Sequence, residues 1–217
     1  MTGLTGRHLQ FISKVEQALT GDLPGWEAQK LMSPINHLIN PNPTSSAKEA
    51  GVMLLLQPNG DGFNVIYIKR GSKYGADKHK GQISFPGGKL EESDQDLLDC
   101  ALRESEEEIG VDRKQIKVLG ALSQFFVFIS GFIVSPFVGV IPSDLTFTPD
   151  HDEVEYVILA DLDNLLDPKS KRYRHHRFGE KIIENSPYFA MENNEKLWGA
   201  TAMMTNEFLS ILRSKVL

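Results

Sequence analysis

Cysteine is nearly absent: Cys100 is the only one in 217 residues, so no intrachain disulfide can form. No C-x-x-C or H-x-x-E-H spacing occurs either, which leaves His175 and His176 weak as zinc ligands. Excess positive charge is missing too. The chain carries 23 Lys and Arg against 29 Asp and Glu, a formal net charge of -6. This argues against a nonspecific nucleic-acid or membrane-surface binder, since both roles rest on surplus cations. No apolar run is long enough to span a bilayer, and the first residues lack the basic flank and apolar stretch of a signal peptide. A cytoplasmic location is expected. There is no internal repeat and no low-complexity tract. What remains is 41% hydrophobic and 24% charged, an ordinary soluble composition that supports one substantial core.

The apolar pattern predicts the elements. His8 to Leu19 has helical periodicity through Leu9, Ile12, Val15 and Leu19, closed by Gly21. Asn40 to Ser46, rich in Pro, Asn and Ser, reads as a linker. Gly51 to Gln57 and Asn64 to Lys69 read as strands joined in a hairpin by Pro58-Asn59-Gly60-Asp61-Gly62. Two more apolar runs, Val118 to Phe128 and Phe132 to Ile141, flank Ser130-Gly131. Val154 to Leu159 is expected as a strand, Leu162 to Leu166 as a short helical turn and Gly199 to Leu217 as a closing amphipathic helix.

One helix carries the chemistry. Asp94 to Ile109 repeats Leu97, Leu98, Ala101, Leu102 and Ile109 at helical steps, with Gly110 as a stop. Glu104, Glu107 and Glu108 then stand at i, i+3 and i+4 and share a face. Carboxylates this close repel one another, and the arrangement becomes favourable with hard cations such as Mg²⁺ or Mn²⁺ among them. Arg103 can reach Glu107 across one turn and fix its angle. Glu106 points elsewhere, into solvent. Cys100, beside Leu97 and Ala101, reads as a small packing residue rather than a nucleophile.

A Glu-rich helix face alone is usually just a solvated face. Here it follows Gly87-Gly88-Lys89 and ends in Gly110-Val111, and the whole resembles the Nudix box, G, five residues, E, seven residues, R-E-U-x-E-E-x-G-U, with U apolar. Arg103, Glu104, Glu107, Glu108, Gly110 and Val111 match. Counted from Gly88, Asp94 stands where the first Glu belongs, and eight residues rather than seven separate it from Arg103. That first Glu is taken as a peripheral member and the extra residue as a longer loop. Ser105 is a small polar residue at a U position.

Further segments are similar to the coenzyme A diphosphatase branch, which typically reads H-x-G-Q-V-S-F-P-G-G. Here the run is His79-Lys80-Gly81-Gln82-Ile83-Ser84-Phe85-Pro86-Gly87-Gly88. Leu23-Pro24-Gly25-Trp26, Ala28-Gln29, Met32-Ser33-Pro34, Pro136 to Gly139, Asp152-Glu153-Val154 and Leu197 to Ala202 match the same branch. Arg70 is followed by Gly71, and Asp77 occupies the branch's Arg position, in a segment about two residues longer than usual. Lys78 could supply that charge.

The resemblance implies an α/β (α+β) Nudix fold, a mixed β-sheet between helices. An N-terminal helical extension and linker would span 1–46, and the Nudix domain 47–217. Glu104, Glu108, Glu107 and the carbonyl of Gly87 are the implied metal ligands. Glu107 can instead orient a water, and Glu153 is a further candidate for the base, as often plain surface. Arg70, Lys78, Lys89, Arg174 and Arg177 are candidate substrate cations, each alone more commonly a solvated side chain. Trp198 is expected in the core. The implied activity is hydrolysis of coenzyme A or acyl-coenzyme A to 3',5'-ADP and phosphopantetheine or its acyl form, by an enzyme using Mg²⁺ or Mn²⁺. The alternatives are a diphosphatase of ADP-ribose, a dinucleotide or a nucleotide sugar, and a silent nucleotide sensor. A small nucleotide diphosphate is the expected partner, with no nucleic acid or membrane; a homodimer is admissible.

Overall fold

A computed structural model describes residues 3–34, 43, 46–71, 81–178 and 181–217, without the side chains of 176–178 and 181. The linker from Asn40 to Ser46 therefore falls largely outside the described residues, as do His79 and Lys80 of the branch motif. In chain order the elements are α1 (Gly6–Leu19), α2 (Gly25–Gln29), β1 (Lys48–Asn59), β2 (Gly62–Arg70), β3 (Ile83–Ser84), β4 (Gly87–Lys89) and α3 (Leu97–Ile109). Then come β5 (Lys117–Ala121), β6 (Phe125–Val127), β7 (Phe132–Val140), β8 (Val154–Asp161), α4 (Leu162–Leu166), β9 (Lys171–Phe178), β10 (Lys181–Ala190), β11 (Lys196–Leu197) and α5 (Gly199–Ile211).

The main sheet is mixed. β1 runs parallel to β7, with Lys48 opposite Phe132 and Leu56 opposite Val140, and antiparallel to β2 and β4. The hairpin turn is the expected one: Asn59 pairs with Gly62 around Gly60, whose φ of 57° a glycine adopts without strain. Alternation along β1 and β2 serves two cores. Met53, Leu55, Ile66 and Ile68 face Ala101 and Ile109 of α3. Leu54, Leu56, Val65 and Tyr67 face the opposite way, into a cluster with Ile12 and Val15 of α1 and Phe208 and Leu209 of α5. The sheet is thus sandwiched between α3 and the pair α1 and α5.

Three expectations are corrected. The Nudix-box helix begins at Leu97, not Asp94, because the Asp96 side chain caps it by accepting the Asp99 amide at 2.8 Å. α5 is not amphipathic: Thr201 through Leu209 are all buried. Its polar residues are used internally. Glu207 accepts the Gly25 amide at 3.1 Å, the Ser123 amide at 3.2 Å and the Gln29 side-chain amide at 2.8 Å, while the Asn206 amide donates to the Ala28 carbonyl at 2.7 Å. Finally, where no strand is expected over 181–190, β10 pairs with β9 and β11 in a second, three-stranded sheet, and the basic run from Arg172 lies in β9.

Candidate active site

The Gly turn and α3 are packed too closely for side chains between them. A Cβ on Gly88 would sit 2.2 Å from Glu104 Oε1, and one on Gly51 would sit 2.2 Å from the Leu97 carbonyl oxygen. β4 is thereby pressed onto the helix, and the Gly87 amide donates to Glu108 Oε2 at 2.8 Å. Only 3% of the Glu108 side chain is exposed, and Arg70 Nη1 lies 3.6 Å from its other oxygen. Burial, which outweighs the Gly87 hydrogen bond and the Arg70 charge, pushes the Glu108 carboxyl up to about 8; Glu104 and Glu153 add to the rise. Glu104 is raised as well, first by burial, with Glu107 and Glu153 contributing repulsion against the lowering by Arg103. Glu153 thus belongs electrostatically to this group. It is exposed at the start of β8, where its carbonyl accepts the Gly71 amide at 2.7 Å beside Arg70.

Arg103 is the hub. It donates to Asp94 at 2.7 and 3.0 Å, to Glu104 at 2.9 Å, to Glu107 at 2.9 Å and to the Lys89 carbonyl at 3.3 Å. The i,i+4 contact with Glu107 is the one expected. The reading of the first box acid as peripheral is corrected: the Asp94 side chain is 1% exposed and is the most direct partner Arg103 has. Its hydrogen bonds from Arg103 hold its carboxyl down to about 2. Ser105 is buried at its U position because its hydroxyl donates to the Ala101 carbonyl at 2.7 Å. Glu106 points away, as expected, but is paired with Arg113 at 3.1 Å rather than merely solvated. Burial raises the Cys100 thiol to about 11, which suits packing and not nucleophilic attack.

Among the candidate cations, Arg70 reaches the carboxylate group and Lys89 is exposed beside Gly88. Arg174 does not join them; its guanidinium lies over the rings of Tyr188 and Trp198. Trp198 is accordingly half-buried beneath that cation rather than deep in the core. Lys78 lies outside the described residues, and so does the side chain of Arg177. Sequence reasoning missed the Asp94 anchor and the Glu207 network. A cavity of about 530 Å³ bounded by Gln57, Phe147, His151 and Tyr156 includes none of the α3 carboxylates.

The donor set of Glu104, Glu107, Glu108 and the Gly87 carbonyl is entirely oxygen, and burial raises two of its carboxyls, so a hard cation fits it chemically. Glu104 and Glu107 both rest on Arg103, and among the described residues no three acidic, imidazole or thiol groups are gathered closely enough to hold an ion. A cation would compete with Arg103 for these two carboxylates.

Residues 46–180 match the NUDIX domain family model. The chain is 34% identical over 149 residues to the mouse (Mus musculus) protein named mitochondrial coenzyme A diphosphatase NUDT8, covering 68% of this chain and 70% of that one. It is 35% identical over 125 residues to the uncharacterized Nudix hydrolase NudL of Yersinia pestis (strain Pestoides F), covering 58% and 61%. A solved MutT/nudix family protein from Enterococcus faecalis superposes with a TM-score of 0.49 at 16% identity, over 94% of this chain and 74% of that one. The family match and the Nudix hydrolase relatives make this chain a pyrophosphohydrolase. The chain belongs to the Nudix family. Nudix hydrolases generally need divalent metal ions. No described helix is long and apolar enough to cross a membrane.

Proposed function

We propose that this chain hydrolyses the diphosphate linkage of coenzyme A or acyl-coenzyme A, giving 3',5'-ADP and phosphopantetheine or its acyl form, with Mg²⁺ or Mn²⁺. One observation carries the catalytic half: the buried Glu108 carboxylate, pinned by the Gly87 amide at 2.8 Å, with Glu104 and Glu153 in its field. The substrate half rests on the His79 to Gly88 run and on the mouse relative whose name is coenzyme A diphosphatase.

Glu104, Glu107, Glu108 and the Gly87 carbonyl would hold the cation, which when bound screens the diphosphate oxygens and acidifies water. Arg103 orients Glu104 and Glu107 while Asp94 fixes Arg103. Arg70 and Lys89 offer positive charge to the phosphates on either side of the Gly turn. Glu153, the exposed carboxylate of the group, takes the proton of the attacking water, and Glu107 is the second candidate for that step.

A substrate panel tests the reading. With Mg²⁺ or Mn²⁺ and equal concentrations of coenzyme A, ADP-ribose, NADH and UDP-glucose, coenzyme A is expected to turn over fastest, with products identified by mass. Faster hydrolysis of ADP-ribose or NADH would move the substrate assignment to another Nudix class.

A further inference from the structure

The second sheet holds a cation that the catalytic centre does not use. Arg174 on β9 is half-buried, and its guanidinium carbon stands 5.7 Å from the Tyr188 ring centre and 5.6 Å from that of Trp198. Among the described residues it has no carboxylate and no hydrogen-bond acceptor, and its buried Nε is unsatisfied. A guanidinium taken partly out of water without an anion is costly, and ring faces return only part of that loss. Its cross-strand neighbour on β10, Ser186, is 1% exposed and its hydroxyl is also unsatisfied. The strand pairing slips between Ile183 and Ser186, around Asn185 with φ of 54°. Such a bulge re-aims neighbouring side chains.

Three surroundings point the same way. Trp198 is the N-cap of α5, whose first turn has no capping side chain. A Cβ on Gly199 would meet nothing within 4 Å, so space stands open beside that turn. Lys196 places a second cation, its ammonium, 6.0 Å from the Tyr188 ring centre. The adjacent carboxylate, Glu195, is committed to Lys69 at 2.8 and 2.9 Å and to the Tyr156 hydroxyl. Among the described residues, therefore, no carboxylate pairs with Arg174 or Lys196. The place is connected to the catalytic centre: β11 touches β3, which ends three residues before Gly87, and the buried hydroxyl of Ser84 on β3 is likewise unsatisfied.

We propose that Arg174, Ser186 and the Tyr188 and Trp198 rings form a subsite for a phosphomonoester carried on the nucleoside end of the substrate. The fork of guanidinium donors takes the phosphate oxygens, and the rings hold the guanidinium plane in register. This rests on the coenzyme A reading, because 3',5'-ADP is the product that would bear such a group.

Calorimetric titration of the full chain in chelator, with adenosine 3',5'-bisphosphate and with 5'-AMP as probes, tests it without turnover. The wild-type chain is expected to prefer the bisphosphate by about tenfold, the scale of one charge-assisted contact. Arg174→Gln removes that preference and leaves 5'-AMP binding unchanged; Arg174→Lys, which keeps the charge but not the planar fork, retains part of it. An unchanged preference in Arg174→Gln, or none in the wild type, overturns the subsite. Loss of both ligands together with a lowered melting temperature in both variants would make Arg174 a purely structural residue and also overturns it. Coenzyme A hydrolysis measured in parallel separates the two ideas. Turnover without a bisphosphate preference sinks the subsite alone, whereas the Arg174-dependent preference without turnover sinks the coenzyme A reading and leaves a phosphomonoester site.

Discussion

Arg103 and Asp94 meet through two hydrogen bonds, Nε to Oδ1 at 2.7 Å and Nη2 to Oδ2 at 3.0 Å, across the turn that precedes α3. The same guanidinium donates to Glu104 and Glu107, so the position of two α3 carboxylates depends on an acid from outside the helix.

Asp94→Asn is expected to cost about 1.5–3 kcal/mol of stability, the range for hydrogen bonds to charged groups, and to lower turnover as Arg103 loosens. The pH dependence has a definite sign. The folded carboxyl is depressed from 3.8 to about 2, so its contribution is complete above about pH 4 and lost as pH falls through 2. Thermal melts of wild type and variant should differ by a constant amount at neutral pH and converge in acid; a gap that widens on acidification contradicts the pairing.

Gly88→Ala and Gly51→Ala should separate activity from folding. The added Cβ at 88 meets the end of the Glu104 side chain, which can swing aside, so the fold survives while turnover drops by roughly tenfold or more. At 51 it meets the Leu97 backbone, which cannot yield without moving α3. That variant should lose several degrees of melting temperature, as expected for about 1–3 kcal/mol of overpacking. Equal melting temperatures for the two would show that α3 is not pressed onto β1 as described.

Glu108→Gln should reduce turnover by roughly a hundredfold or more, the scale of removing a direct electrostatic catalyst. Activity of the wild-type chain should vanish in EDTA and return with Mg²⁺ or Mn²⁺. Glu106→Gln, which alters a side chain paired with Arg113 on the outer face, should stay within a few-fold of wild type. Kinetics showing the two variants equally damaged would mean that the assigned helix face is wrong.

Glu153→Gln tests the proton acceptor. A base contributes about 10²–10⁴ in rate, so kcat should fall on that scale with little change in KM. A kcat within a few-fold of wild type would transfer the role to Glu107.

Much of this was legible in the chain because it is local. The helix face bearing Glu104, Glu107 and Glu108, and the Arg103 to Glu107 contact, follow from 3.6-residue spacing, and the hairpin follows from Asn59-Gly60. Asp94 was misjudged because its partner lies nine residues on, beyond a loop whose path no periodicity encodes. The helix start was misplaced for a related reason: apolar spacing does not reveal which of several nearby acids caps. Strand β10 was missed because Glu184, Asn185 and Ser186 interrupt its apolar run at the bulge. α5 looked amphipathic because Thr205, Asn206 and Glu207 are polar by type, yet they are buried against partners far away in the chain.

The grip of Glu207 on Gln29 joins residues 178 positions apart, and α5 is enclosed on nearly every side. On the ribosome, where chains emerge from the N-terminal end at about 5–20 residues per second, α2 is made long before the helix that completes its packing. Trp26, Ala28 and Met32 must wait with their apolar surface open until synthesis has passed the Nudix box and both sheets. The carboxylates of α3 are therefore translated well before the core on the far side of their sheet can close, and a stalled chain ending before α5 would present that unfinished surface to chaperones.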